Sequence, residues 1–300
     1  MQDGETTEMA AKSVIGIRTN KWTQEERGLH ARLTAVFGDN VYVVFHNRAA
    51  DLDVGPNVVD INDDWVVQNE LRAVGDWGWR CGDYAYYALR QAAPDAEYYW
   101  LIEPDVFFTS EPHSFFDQCS ESSADVMGLD IAPFPRSIRF TRGLRGFEHY
   151  RAIFALTRLS GAAVDYLFAE RQAYSKSAAP ERAFTNDEIF VFSHAAREES
   201  LSQANLRDLA PSWFDGTQFR TNPDLLDQNL MRSETAAGKV WHPVRNMEHF
   251  KAAIVQRLCT SSGFLNRMTG SIQTLQPEDI DDIADQVRAS VHNTLTLRQK

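Results

Sequence analysis

Cysteine is scarce in this chain, and its placement excludes more than its number does. Cys81, Cys119 and Cys259 are odd in count, widely spaced and contain no CxxC pair. That argues against a zinc knuckle and favours a reducing cytoplasm over a secretory route. No apolar run approaches the roughly 20 residues that a spanning helix requires, so a membrane-spanning protein is not expected, while peripheral contact with a membrane partner stays open. The opening MQDGETTEMAAKS is polar and slightly acidic, unlike a signal or transit peptide. Neither the glycine-rich GxxxxGK loop of NTPases nor a GxGxxG dinucleotide motif occurs. Positive charge is short as well: 30 Lys plus Arg face 42 Asp plus Glu, a formal charge of -12. That balance argues against nucleic acid as a partner and against broad attraction to anionic lipid. One anionic small ligand remains compatible with it, where a metal or a local basic cluster supplies the missing charge. Internal repeats, low-complexity blocks and an interdomain linker are absent too, which favours one composite domain.

The apolar share of 43% is ample for a core. After a leader expected to be disordered over 1–12, Ser13–Arg18 reads as a strand and the stretch from Thr19 to Phe37 turns helical. Gly38-Asp39-Asn40 signals a turn before a strand at 41–47, with a short strand at Val58–Ile61. Helical patterns follow over Trp65–Val74 and over Tyr84–Ala93, the latter closed by Pro94. Tyr98–Phe108, YYWLIEPDVFF, begins as a buried strand; a helix near 112–119 and a strand at Asp125–Leu129 come next. Strand and helix in alternation predict an α/β fold, a mostly parallel sheet flanked by helices. The second half is less regular: a strand at Ile153–Leu156, a helix at Ser160–Ala173, helix or strand at Glu188–Ser193, a helix at His249–Leu258 and a helical tail from Pro277. The domain reading is 13–272 as one catalytic domain and 273–300 as the tail.

Chemistry concentrates where strands end. Glu103 and Asp105 flank Pro104 directly after the apolar run, and buried strands do not normally end in acids unless a cation meets them. In open α/β sheets ligands bind at the carboxyl ends of strands. Two carboxylates there suit a hard divalent ion, Mg2+ or Mn2+, and the phosphates it neutralises. In Trp79-Arg80-Cys81-Gly82-Asp83-Tyr84, Asp83 reads either as a helix cap or as a ligand contact, and Arg80 as a guanidinium able to span two oxygens. Asp187 and Glu188 precede an apolar run, as helix-start acids or as a general base with one of the pair facing a cleft. His242, followed by Pro243, is a candidate third metal ligand, and Arg245 a candidate phosphate contact. Arg136, Arg139, Arg142, Arg145 and Arg151 form a basic stretch opposed only by Glu148. It reads as a solvated loop or as a mobile rim attracting an anionic acceptor or diphosphate.

The order and spacing of these parts resemble the GT-A glycosyltransferases that use nucleotide-sugar donors. The resemblance runs over roughly residues 13–250. It rests on the first strand ending in Arg18-Thr19-Asn20, the segment Trp79–Tyr84, the DxD-like Glu103-Pro104-Asp105, Asp187-Glu188 and His242-Pro243-Val244. It implies a Rossmann-like sheet, a nucleotide-sugar donor and a glycan or small-molecule acceptor. By position, Arg18, Thr19 and Asn20 line the base and ribose, with Asp60 or Asn62 assisting, and Arg80 and Asp83 face the donor. Glu103 contacts the ribose or the metal's water, Asp105 and His242 ligate the metal, and Asp187 or Glu188 acts as base. The glutamate at the motif's first position departs from the pattern and bears on how strictly metal is required. Two rival readings are nucleotidyl transfer, for which the first strand lacks a glycine-rich phosphate loop, and a non-catalytic carbohydrate-binding protein. The metal reading requires the Asp105 carboxylate and the His242 imidazole to share one cradle.

Overall fold

The computed structural model describes residues 12–146, 148–214, 216, 218–221, 224–260 and 274–297. Apart from Lys12, the expected leader lies outside the described residues. In chain order the elements begin with β1 (Ser13–Thr19), α1 (Gln24–Phe37), β2 (Val41–His46), β3 (Val58–Ile61), α2 (Asp63–Gln68), α3 (Trp77–Arg80), α4 (Tyr84–Ala92) and β4 (Tyr98–Ile102). They continue with β5 (Phe107–Phe108), α5 (His113–Ser120), β6 (Val126–Pro133), β7 (Tyr150–Ser160), α6 (Gly161–Ser175), α7 (Asp187–Arg197), β8 (Gln203–Asn205) and α8 (Leu206–Leu209). The last are β9 (Leu225–Leu226), α9 (Asp227–Met231), β10 (Val240–Trp241), β11 (Val244–Arg245), α10 (Met247–Thr260) and α11 (Pro277–Leu297).

The chain divides into two compact units, a partition different from the composite domain and tail read from the sequence. One takes in residues up to Pro104 and Glu111–Trp213; the other takes in Asp105–Ser110 and the chain from Phe214 onward.

The first unit holds a seven-stranded sheet in the order β3-β2-β1-β4-β7-β6-β8. Strands β3, β2, β1 and β4 run parallel, β7 is antiparallel to β4 and β6, and β8 runs parallel to β6. The expected α/β, mostly parallel, helix-flanked sheet is therefore present. Its winding direction changes between β1 and β4, and the carboxyl ends at such a switch point flank a crevice where ligands bind. Ile17 pairs with Ile102, so Arg18 and Glu103 follow at the same edge.

The β4 run Tyr99–Ile102 is buried throughout, as a strand covered on both faces must be. Gly16 lets α4 close onto the sheet, because a methyl group there would come within 3.0 Å of Leu89 and Val44. Helix α1 starts with a capping box between Thr23 and Glu26.

Three expectations shift. Helix α2 stops at Gln68 rather than Val74, because Glu70 takes a positive φ of 58° and the Leu71 N–H donates to Val66 O at 3.0 Å, a left-handed stop. Strand β7 extends well beyond Ile153–Leu156. Its buried Arg158, which breaks the apolar run in sequence, donates to Ser122 O at 2.7 Å and Ala124 O at 2.9 Å. The Glu188–Ser193 segment, open between helix and strand, belongs to helix α7.

In the second unit β5 pairs antiparallel with β10 and β9 parallel with β11. Thr109 Oγ1 accepts from the Lys239 N–H at 2.9 Å, so the short segment after Pro104 is woven into the carboxyl-terminal third of the chain. Leu226, Phe250, Ile254, Val255 and Ile283 form its core, with α10 packed on α11. Among the described residues no helix is long and apolar enough to cross a membrane.

Candidate functional site

At the switch-point edge of the first unit, four separate segments deliver polar groups to one spot. Arg18 ends β1, Glu103 follows β4, Gly82 lies in the turn before α4, and Asp187 opens α7. Arg18 Nη1 donates to Asp187 Oδ2 at 3.1 Å, and its Nη2 pairs with Glu103. The Gly82 N–H donates to Asp187 Oδ2 at 2.9 Å and the Glu188 N–H to Asp187 Oδ1 at 2.8 Å. Glycine in that turn leaves room for the pair, since a Cβ there would lie 1.4 Å from Arg18 Nη1 and 2.4 Å from Asp187 Oδ2 and displace them.

Burial works against the Arg18 charge, but Glu103 and Asp187 more than offset it and hold the guanidinium above its ordinary range. Burial pushes Asp187 up to about 6, against the opposing pull of Arg18. Glu188, half-buried beside it, is pushed up to about 7 by burial and then by the negative charges of Asp187 and Glu103. Of the two neighbouring acids, Asp187 is thus committed to protein donors, whereas among the described residues the Glu188 side chain accepts from Asn186 Nδ2 at 3.5 Å. A carboxyl group titrating near neutrality can take a proton from a hydroxyl and release it again.

The second unit carries the other half of the expected constellation. His242 Nε2 lies 3.4 Å from Asp105 Oδ1, and Arg245 Nη2 lies 2.9 Å from Asp105 Oδ2. The shared cradle that the metal reading requires is therefore present. His242 Nδ1 lies 2.5 Å from Arg220 O, and its ring stacks on Phe219 with centroids 5.1 Å apart. Because a carbonyl can only accept, Nδ1 carries the proton, and in the neutral form of the ring Nε2 presents a lone pair toward a carboxylate oxygen. Two acceptors facing each other need a proton or a cation between them. A carboxylate oxygen with an imidazole nitrogen is a donor set for a divalent ion, the oxygen suiting the harder cations and the imidazole the softer ones. Asp105 and His242 therefore fit a divalent ion, with Glu103 the next acid in the chain, one residue removed across Pro104.

Several residues expected at the donor have other partners. Asp83 does not cap α4 with its side chain and offers no surface to a ligand. Its two oxygens accept from Arg171 Nε at 2.6 Å and Nη2 at 2.7 Å, and Tyr87 Oη donates to it at 2.8 Å. Arg80 is also buried, donating to Glu181 O at 2.5 Å and Asp76 Oδ2 at 2.8 Å, so it ties the α3 turn to a neighbouring loop. Asn62 caps α2, accepting from the Trp65 N–H at 2.8 Å. Asp60 is gripped by Arg48 at 2.7 and 2.6 Å on the exposed rim. Thr19 bonds within its own turn to Lys21, and Asn20 is exposed at the end of β1.

Sequence reading missed Gly82, Arg171 and Arg48. Gly82 stood inside a quoted motif, and only the approach of Asp187 shows its use. Arg171 had no signal at all, since an arginine on a helix is ordinarily solvated. It also donates to Thr185 O at 3.0 Å, fastening the turn that carries Gly82 to the segment leading into Asp187.

No protein-family model and no curated protein sequence matches the chain. Among solved structures, some are similar to it at low identity. One is the galactosyltransferase LgtC in complex with donor and acceptor sugar analogs, at 12% identity and a TM-score of 0.42, covering 90% of this chain and 99% of that one. Another is the inositol-1-phosphate CTP transferase from T. maritima, at 11% identity and a TM-score of 0.36, covering 66% of this chain and 86% of that one.

Proposed function

We propose that this protein is a glycosyltransferase that moves a sugar from a nucleoside-diphosphate-sugar to a hydroxyl of a glycan or small-molecule acceptor, assisted by a divalent metal. The observation that carries the reading is Glu188, a half-buried carboxyl group raised to about 7 beside the Arg18–Glu103–Asp187 cluster at the switch-point edge. A hydroxyl acceptor needs a group that removes its proton as the new bond forms. The phosphate acceptor of nucleotidyl transfer is already anionic and needs none, which favours glycosyl transfer over that rival. The rival of a non-catalytic binding protein has no use for a carboxyl group held near neutrality.

In this mechanism the acceptor oxygen attacks the anomeric carbon, and Glu188 takes its proton. The bond from that carbon to the diphosphate breaks, and its electron pair departs with the nucleoside diphosphate. Arg18, Thr19 and Asn20, at the end of β1, are assigned to the nucleotide with Asp60 at the rim. Asp187 orients the base through the Glu188 N–H. Asp105 and His242 would hold the divalent ion, which when bound supplies Lewis-acid stabilisation of the departing diphosphate. Arg245, on the same carboxylate, adds a cation for phosphate oxygens. Arg80 and Asp83 take no part in donor contact.

The test is an assay of several nucleotide-sugars with manganese, following release of nucleoside diphosphate with and without sugar acceptors. Release of the diphosphate supports the reading. Pyrophosphate release from nucleoside triphosphates with a sugar phosphate would assign nucleotidyl transfer instead.

A further inference from the structure

The arginine-rich stretch has no task in the mechanism above. Arg136, Arg139, Arg142 and Arg145 lie between β6 and β7, Arg151 lies on β7, and all five are exposed. Of the two expected readings, a solvated loop or a mobile rim, the exposed arginines on an anchored loop match the first. Thr185 Oγ1 donates to Phe140 O at 2.8 Å, and Phe134, Phe140 and Ile189 form one apolar cluster. A Cβ on Gly143 would lie 1.9 Å from Ala183 O. The loop is thereby fixed against the segment that leads into Asp187 and Glu188.

Phe140 also carries two side chains of a different kind. The Arg139 guanidinium stands 4.3 Å from its ring centroid, and the Trp79 ring lies 6.3 Å away. Trp79 is 62% exposed, an indole face held toward solvent beside a cluster of positive charge. Arg151 stands over Phe134 at 4.6 Å, and its charge acts on Glu188. A flat apolar plate next to fixed guanidinium groups matches a pyranose that bears an anion: the ring stacks on the indole and the anion meets the fork. A chain of net charge -12 repels extended polyanions, so a short ligand with a localised charge is selected.

With the glycosyl-transfer reading above as the base, we infer that Trp79, Arg139 and Arg151 form an acceptor subsite for an acidic saccharide, one bearing a carboxylate or an ester phosphate or sulfate. The subsite places that acceptor's hydroxyl at Glu188.

Calorimetric titration of the full chain tests this with a glucuronate-containing disaccharide, its sulfated neutral counterpart, the unmodified neutral disaccharide and inorganic sulfate. One or both acidic disaccharides should bind at least about tenfold more tightly than the neutral sugar or sulfate. Which of the two binds distinguishes a carboxylate from an ester anion. Trp79→Ala, and separately Arg139→Ala with Arg151→Ala, should each weaken that binding by about tenfold or more, while nucleoside diphosphate binding stays unchanged. Equal affinity for the neutral disaccharide, sulfate binding as tight as the acidic sugars, or unaltered affinity in both variants overturns the subsite. Nucleoside diphosphate binding without any saccharide binding also overturns it and leaves the glycosyl-transfer reading standing. Absence of both overturns that reading and the subsite together.

Discussion

Glu103 and Asp105 stand one residue apart in the chain, yet they meet opposite circumstances. In the first unit Glu103 and Asp187 are neutralised from within by Arg18, and below them Asp83 is neutralised by Arg171. In the second unit Asp105 pairs with Arg245 through Oδ2, while its Oδ1 faces the Nε2 edge of an imidazole whose other nitrogen is already bonded to Arg220 O. Asp83 and Asp187, whose oxygens each meet protein donors, are architecture. An acid set against another acceptor calls for a cation or a proton. Glu188 falls between the two: it belongs to the first unit, and burial with the charges of Asp187 and Glu103 outweighs the pull of Arg151 and holds its proton affinity near neutrality.

Removing the arginine of the completed pair sharpens this contrast most. Arg171→Met leaves Asp83 charged and fully buried, and should lower stability in denaturant titration by about 3–5 kcal/mol. A loss below about 1 kcal/mol would place Asp83 among the acids awaiting a ligand. Asp105→Ala should do the converse. Folding should be little altered, while transfer falls by roughly a hundred- to a thousandfold, measured as nucleoside diphosphate release at saturating manganese. Glu188→Gln should reduce kcat/KM by roughly a hundredfold and remove the limb of the pH profile that rises through about 7.

That variant also has a stability signature of definite sign. The folded Glu188 value lies above its ordinary value of 4.5, so the native state holds the proton longer than the unfolded chain does. Stability should therefore fall as pH rises from about 4.5 to about 7, and Glu188→Gln should flatten that fall by on the order of 3 kcal/mol. The smallest effect belongs to the exposed fork on the rim. Arg48→Ala should change stability by only about 0.2–1 kcal/mol, and unaltered nucleotide binding would remove Asp60 from the donor contacts.

Much of this was legible in residue order. The parallel half of the sheet announced itself through SVIGIR, VYVVFH and YYWLI, continuous apolar runs separated by capped helices and glycine turns. The cradle of Asp105 and His242 was legible because acids after a buried strand, and a histidine locked by proline, are locally out of place. Residues whose meaning comes from distant partners were not legible. Asp83 reads as a cap until Arg171, 88 positions away, is seen upon it. Arg80 reads as a ligand contact until Glu181 O and Asp76 are found to hold it. Arg158 hid half of β7, because a buried guanidinium meeting three carbonyls looks like a surface charge in one dimension. Helix α7 is buried on nearly every side, and its apolar run Ile189–Phe192 is short enough to suit helix or strand.

The metal cradle is tested most directly by thermal unfolding with a nucleoside diphosphate, with and without manganese, for the parent and for Asp105→Ala. The parent should be stabilised by the nucleotide and further by the metal, by about 2.7 kcal/mol where the bound ligand stands at a hundred times its dissociation constant. Asp105→Ala should keep the nucleotide's contribution and lose the metal's. An equal metal-dependent shift in both proteins would contradict the assignment of Asp105 and His242.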